Sequence, residues 1–351
     1  MSWLEKVDGA PASLWFASLQ GKQWSAPTKI SSGDNWFINW ADFPSLVALS
    51  DGTLVAHWLQ KSAPDSYAYD IRLVFSPDHG RHWSAPFSPH DDGTPTEHGF
   101  VTLLPQRDNT LSVVWLDGRE ARGDAETMQL RHASFDREGK KLTEQVIDSD
   151  TCTCCQTTAT TLPDGIVVGY RDHAANEIRD IATLRWQRGS WSAPQIVHAD
   201  NWEIPGCPVN GPALASFAQQ LAVAWYTGGQ NIPRVQVAFA GADGAFGAPL
   251  RVDTGRPLGR VALVMVSAHQ AVVSWLERDG EQAALRLRRI DLEQQQLRAG
   301  PVHTLVHTGL GRSSGFPRLV IQGDNIIAAW TDTSEAKMPQ VRSLAIPLAK
   351  L

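Results

Sequence analysis

Tyrosine, cysteine and methionine are each scarce in this 351-residue chain, at four apiece. Four cysteines at that length do not make a disulfide scaffold, so an apolar core must hold the fold. No apolar run reaches the ~18 residues that a membrane-spanning helix needs. Helical periodicity is missing almost everywhere, which excludes a helical bundle or a coiled coil. No basic stripe stands out either. The densest run, Arg286-Leu287-Arg288-Arg289, alternates like the wet face of a strand, and the net charge is −6. Both argue against a nucleic-acid partner. Charged residues are 19% and hydrophobic ones 42%, which excludes general disorder. The opening Met1-Ser2-Trp3-Leu4-Glu5 lacks the basic start and apolar stretch of a signal peptide.

What the chain does have is tryptophan, 14 in all, and most of it is periodic. Short apolar runs ending in an aromatic residue recur at Trp3, Trp58, Trp115, Tyr170, Trp225, Trp275 and Trp330, with steps of 55, 57, 55, 55, 50 and 55. A second marker keeps the same step: Trp24-Ser25-Ala26-Pro27, Trp83-Ser84-Ala85-Pro86 and Trp191-Ser192-Ala193-Pro194, with Phe246-Gly247-Ala248-Pro249 as a weaker copy. Each unit reads as four short strands separated by turn residues such as Asp51-Gly52 and Asp78-His79-Gly80, with Trp83 opening a last strand.

Four antiparallel strands repeated seven times at ~50 residues each describe an all-β, seven-bladed β-propeller. It would form one domain over 1–351, at about 55 residues per blade. A six-bladed propeller is the alternative, but it would put Trp330 on top of Trp3. The chain starts in a second strand and stops after a third, so the blades at both termini are incomplete. An upstream strand and an export leader outside this chain fit that pattern; a cytoplasmic chain is the other reading. Most of the tryptophan is then packing between blades.

Ser76-Pro77-Asp78-His79-Gly80-Arg81-His82-Trp83 matches the Asp-box pattern Ser-x-Asp-x-Gly-x-x-Trp. The chain therefore resembles the sialidase-like propellers that carry such boxes on the hairpin between third and fourth strands. The segments around Cys152–Gln156, Tyr170–Asp180 and Gly206–Pro212 look like a group of bacterial exo-alpha-sialidase-like proteins with a Cys-x-Cys-Cys segment. The resemblance implies a propeller with a glycan site. A sialidase would also carry an arginine triad, a tyrosine nucleophile paired with glutamate, and an aspartate acid/base. This chain departs from that pattern. The Phe/Tyr-Arg-Ile-Pro motif is absent, and no tyrosine follows Tyr226. The resemblance carries the fold and leaves the catalytic residues to be found.

In an up-and-down blade, the loops after strands two and four share a face. Most of the unusual residues fall on it, and a funnel there is the expected ligand site. Asp117, Asp172 or Glu97 would be the acid/base and Tyr170 or Tyr226 a nucleophile. Arg119, Arg171, Arg256, Arg260 and Arg312 would clasp a carboxylate, since guanidinium offers a bidentate fork. Trp36, Trp40 and Trp202 would stack on sugar rings, with Asn210 beside them. Asp34-Asn35-Trp36 recurs as Asp200-Asn201-Trp202, as a paired platform or a repeated loop brace.

Cys152, Cys154, Cys155 and Cys207 lie in equivalent loops of neighbouring repeats. They read as a thiolate site for copper or zinc, as disulfides between repeats, or as inert buried thiols. Adjacent Cys154 and Cys155 would not share one ion easily, so Cys152, Cys154 and Cys207 are the favoured trio. His98 or His173 could add a nitrogen ligand. Three functions remain: an anionic glycan bound or hydrolysed in the funnel, a cell-envelope metal-binding propeller, and a non-catalytic scaffold. No cofactor is certain. The partner is a small molecule or glycan, with no nucleic acid, no membrane span and a monomer favoured.

Overall fold

This computed structural model describes residues 1–64, 67–121, 128–334 and 338–351. The chain is all-β, with 3-10 turns and no α-helix among the described residues. Among the described residues seven antiparallel sheets of three or more strands follow one another, and the fold is a seven-bladed β-propeller, not the six-bladed alternative. No helix of the described residues is long and apolar enough to cross a membrane. Two compact units divide the chain, Met1–Thr153 and Cys154–Leu351.

The first unit holds three blade sheets and a two-stranded hairpin, Leu19–Gln20 paired with Gln23–Trp24. Ser2–Glu5, Ala12–Phe16 and Thr28–Gly33 form the first. Ser45–Ala48, Leu54–Lys61 and Tyr69–Ser76 form the second. His98–Pro105, Leu111–Asp117, Met128–Phe135 and Lys141–Thr151 form the third. The last strand expected from Trp83 is not a strand. It shrinks to one bridge, in which Leu73 and Phe87 exchange N–H···O bonds of 2.8 and 3.1 Å.

The second unit holds four sheets. Their second strands are Gly165–Arg171, Gln220–Thr227, Gln270–Asp279 and Asn325–Asp332. Second strands are covered on both faces, so they read as continuous apolar runs; every residue of Leu111–Asp117 is buried. The first, second and seventh sheets have three strands each.

The tryptophan repeat has a polar half. In the third sheet, Trp115 Nε1 donates to Asp117 Oδ2 at 2.7 Å. In the sixth, Trp275 Nε1 donates to Glu277 Oε2 at 2.7 Å. In the fifth, Trp225 Nε1 reaches Asp200 Oδ2 of the preceding loop at 2.7 Å. Residues two apart on a strand share a face, so a carboxylate two positions beyond the tryptophan is placed to accept. The residue across the sheet from the tryptophan completes the group: Arg286, opposite Trp275, lies 3.2 Å from Glu277 Oε1. Arg131 is opposite Trp115, and Gln236, opposite Trp225, donates to Asp200 Oδ1 at 2.7 Å.

The Asp-box behaves as its motif implies. Asp78 Oδ1 accepts from the Ser76 hydroxyl and the His82 N–H, and Gly80 turns at φ +88°. Trp83 sits edge-on to Phe16, with centroids 6.2 Å apart.

Trp58 and Trp275 are both buried, but the Trp58 indole N–H has no hydrogen-bond partner among the described residues. Replacing each by phenylalanine separates packing from bonding. Trp275→Phe orphans a buried carboxylate oxygen and is expected to cost about 1–3 kcal/mol more than Trp58→Phe. Urea unfolding of the two variants measures this; equal losses would contradict it.

Candidate functional site

The first unit brings two acids and a phenol to a point. The loop 34–44 is zipped onto the strand Leu54–Lys61: Phe37 N–H donates to Leu59 O at 3.0 Å and Lys61 N–H to Asn35 O at 2.9 Å. An Asn39 side chain then caps the Ala41 N–H at 2.9 Å, and the chain delivers Asp42, 3% exposed. Tyr69, fully buried, opens the strand Tyr69–Ser76 under Phe37, whose ring stacks on it at 3.9 Å and 9°. Tyr67, 59% exposed, tilts against the same Phe37. Glu97, half-buried, is held by its main chain: Gly118 N–H donates to Glu97 O at 2.8 Å.

Tyr69 Oη lies 2.6 Å from Glu97 Oε1 and 3.0 Å from Asp42 Oδ2. A phenol has one proton, so two ionised carboxylates around it would leave one contact repulsive. Asp42 resolves the conflict by keeping its own proton. Burial, reinforced by the Glu97 charge, pushes its carboxyl up to about 8, against the opposing Phe100 N–H and Tyr69 bonds. A neutral Asp42 donates to the Tyr69 oxygen and leaves the phenol proton for Glu97. Burial and the two acids also raise the Tyr69 phenol well above its ordinary value.

A bulge aims the main chain at this acid. Phe100 takes φ +52°, the register between the first two strands of the third sheet slips, and its N–H donates to Asp42 Oδ1 at 2.9 Å. The second unit repeats the device with a neutral side chain. Arg260 takes φ +55°, and its N–H donates to Asn210 Oδ1 at 2.7 Å. In both copies the residue before the bulge is glycine; a Cβ on Gly259 would collide with the accepting Asn210 Oδ1, and one on Gly99 with the other carboxyl oxygen of Asp42, Oδ2. Asn210 shows that an amide meets the bracing requirement. The ionisable group at Asp42 is extra.

Beneath Glu97 lies an ionic network. His90 and His98 stack at 3.8 Å and 4°. His98 Nδ1 faces the carbonyls of Tyr69 and Thr96, and Nε2 lies 3.3 Å from Asp92 Oδ1, so both ring nitrogens face acceptors. Burial, then the His98 charge, lowers His90 to about 3 and keeps it neutral. Arg119 clasps Asp117 through Nε and Nη2, both at 2.7 Å, and reaches Asp92 at 3.2 Å. Desolvation pushes Asp117 up, but Arg119, His98 and Trp115 outweigh it and the net direction is down. Asp92, His98 and Asp117 stand close enough to hold a cation. The Arg119 guanidinium already supplies that charge, so this group is read as an ion-pair network.

This placement revises several expectations. Asp117 is fully buried and bound to Arg119 and Trp115, so it braces the sheet and does not reach a substrate. Arg119 is committed to Asp117 and Asp92 in place of a substrate carboxylate. Tyr170, 1% exposed, fills the second-strand tryptophan position of its sheet and cannot act as a nucleophile from there. Trp36, 8% exposed, stacks on Trp58 at 5.2 Å in the core, so its Asp-Asn-Trp motif is a brace. Trp40 is half-buried.

In the second unit, Arg171 is 2% exposed and donates to the carbonyls of Asn210, Arg179 and Tyr226 at 2.6–3.1 Å. Arg260, 8% exposed, donates to Ser314 Oγ at 2.6 Å and Gly315 O at 3.1 Å. Both guanidinia tie loops together, and Asn210 lies between them as a brace. Asp172 is half-buried, and its N–H bonds to Asp180 O. Arg256 and Arg312 are exposed, and His173 pairs with Glu177 at 3.3 Å.

Sequence reasoning missed Tyr69 because its partners lie 27 and 28 residues away on other loops. The shared Gly99-Phe100 and Gly259-Arg260 steps were the available signal.

The cysteines group differently from the favoured trio. Thr153 and Cys154 form a turn after the strand Lys141–Thr151, and the sulfurs of Cys152, Cys154 and Cys155 lie within 4.8 Å of one another. Cys152 and Cys155 have Cys-x-x-Cys spacing, and the ends of a four-residue turn meet. Cys207 is exposed and outside the group, as are His98 and His173 among the described residues. No disulfide joins any of the four.

No family model and no curated protein matches the sequence. Solved structures are similar in fold. An alpha-L-arabinanase of Penicillium chrysogenum is similar with a TM-score of 0.56 at 11% identity, over 88% of this chain and 94% of that one. The NanB sialidase of Streptococcus pneumoniae, as its K499G mutant, gives 0.54 at 8%, over 90% and 71%. An alpha-L-arabinofuranosidase of Fusarium graminearum gives 0.53 at 12%, over 88% and 94%. These likenesses show the fold: a propeller of the kind found in sialidases and arabinanases.

The raised Asp42 carboxyl has a sign in stability. The unfolded value is about 3.9, so between there and about 8 the folded chain binds the extra proton. The neutral acid's contribution is complete below the unfolded value and is lost as pH rises through the folded one. Asp42→Asn keeps the Phe100 acceptor and offers Tyr69 an N–H. Wild type is expected to lose about 1 kcal/mol per pH unit relative to this variant between pH 5 and 8. Unfolding at each pH checks it; parallel curves would overturn it.

Proposed function

We propose that this protein is a glycan-processing propeller whose reactive centre is the Asp42–Tyr69–Glu97 chain. The carrying observation is one buried phenol hydrogen-bonded to two carboxyl groups, Glu97 at 2.6 Å and Asp42 at 3.0 Å. Neighbouring carboxyls whose protonation states are driven apart are the usual basis of acid/base chemistry. The fold shared with sialidases and arabinanases supports a sugar substrate, and so does the aromatic step from exposed Tyr67 through Phe37 to the acids.

Glu97 is the member of the chain that solvent and substrate can meet. As a carboxylate it can take a proton from an attacking water or stabilise positive charge developing at the anomeric carbon. Tyr69 donates to it, which fixes its orientation. Asp42, by staying neutral, keeps the Tyr69 proton directed at Glu97 and keeps a second negative charge away. Tyr69 and Asp42 are buried, so they are positioning residues, and the nucleophilic role expected of a sialidase tyrosine does not fall to Tyr69.

A panel of aryl glycosides, including an α-L-arabinofuranoside, a sialoside and neutral pyranosides, tests this reading. Glu97→Gln is expected to lower turnover by roughly 10²–10⁴-fold. Wild-type activity should fall as pH passes about 8, where Asp42 loses its proton. Asp42→Asn should lack that alkaline limb. No turnover across the panel, or full activity in Glu97→Gln, would sink the proposal.

A second reading rests on the cysteine turn. Three sulfurs within 4.8 Å form a soft donor set that suits Cu(I) better than hard cations. Under reducing conditions one equivalent of Cu(I) is expected to bind, to be lost in Cys152→Ser/Cys155→Ser, and to persist in Cys207→Ser. Equal loss in Cys207→Ser, or no stoichiometric binding, would refute it.

A further inference from the structure

We infer that the second unit carries a binding site for a neutral sugar, built on Trp202 and Tyr226. Trp202 comes from the second Asp-Asn-Trp motif, but it does not share the fate of Trp36. Trp36 is 8% exposed in the core, while Trp202 is only half-buried. Its main chain is fixed on both sides. Asp180 Oδ1 accepts the Trp202 N–H at 3.1 Å, Asp180 Oδ2 accepts the Asn201 N–H at 2.9 Å, and Trp202 O accepts from Arg179 N–H at 3.0 Å.

The indole is fixed as well. The Arg171 guanidinium lies 4.9 Å from its ring, and Tyr226 stands edge-on at 5.6 Å and 73°. Arg171 is itself immobile, since its hydrogen bonds run to carbonyls of three chain segments. A partly exposed indole whose position is set in advance loses little entropy when a sugar ring stacks on it. Tyr226 is half-buried and adds a second aromatic wall at right angles.

The polar rim is built at a cost in backbone strain. Asn176, Glu177, Asn201, Gln230 and Asn231 are non-glycine residues with φ between +49° and +61°. Such residues cost of order 1–3 kcal/mol each and gather where a ligand is held. Glu177 is one of them, and its main chain is tied to the tryptophan loop, because Ile204 N–H donates to Glu177 O at 2.9 Å. The Glu177 carboxylate, 41% exposed, accepts from Arg179 Nη2 at 2.6 Å and pairs with His173 Nε2 at 3.3 Å. With the Glu177 carboxylate paired to the Arg179 guanidinium and bonded to a His173 ring nitrogen, the rim is close to neutral and offers hydroxyl groups both acceptors and donors. That chemistry fits a neutral sugar better than an anionic one.

Binding is the readout, in a Glu97→Gln background, so that turnover plays no part and failure of the catalytic reading is a separate result. Arabinobiose and lactose, titrated against the indole N–H resonance of Trp202, are the probes. A saturable shift is expected with at least one of them. Trp202→Ala should weaken binding by about tenfold or more, and Trp202→Phe, which keeps a ring on Arg171, by about threefold or less. Binding unchanged in Trp202→Ala would overturn the inference, as would no shift from either sugar. Trp202→Phe remaining folded yet binding no better than Trp202→Ala would also overturn it.

Discussion

A buried carboxyl group needs donors, and the way this chain supplies them shapes much of what it does. Taking a carboxylate out of water is costly unless hydrogen bonds or opposite charge replace the lost solvent. In three sheets the repeat supplies an indole N–H, and a cationic or amide side chain from the facing strand stands close by. Asp117, Asp200 and Glu277 are all satisfied in this way. The tryptophan that packs the sheets also keeps the acids within them quiet.

Asp42 is the exception, and its difference is chemical. It has one main-chain donor and one phenol whose proton Glu97 also claims. With too few donors for an anion, it keeps its proton. The second unit shows what the same position looks like when only bracing is needed: Asn210 accepts the same kind of bulge N–H with no titratable group. Two copies of one structural device, one neutral and one ionisable, separate what the fold requires from what the site adds.

The fold was legible because its signals are local and repeated. Trp115, Trp225 and Trp275 mark second strands, and Ser76–Trp83 marks a hairpin, each within one short window. The site was not legible, because its residues meet across loops about half a repeat to a full repeat apart. Tyr69 reads as an ordinary strand residue until Asp42 and Glu97 close on it. The arginines misled for a related reason. A guanidinium beside an acid in a loop looks like a substrate clasp, yet Arg119 is held by Asp117 and Asp92, while Arg171 and Arg260 are held largely by carbonyls. Cys154-Cys155 drew the eye to adjacency and away from the Cys152-x-x-Cys155 spacing around it.

The central claim is that a single aspartic acid stays protonated at neutral pH between a tyrosine and a glutamate. The direct measurement is carbon-13 NMR of the side-chain carboxyl groups across pH, with the Asp42 resonance assigned by its loss in Asp42→Asn. The account predicts one carboxyl titrating near pH 8, well after ordinary aspartates have finished. An Asp42 carboxyl that completes its titration below pH 6 would contradict it.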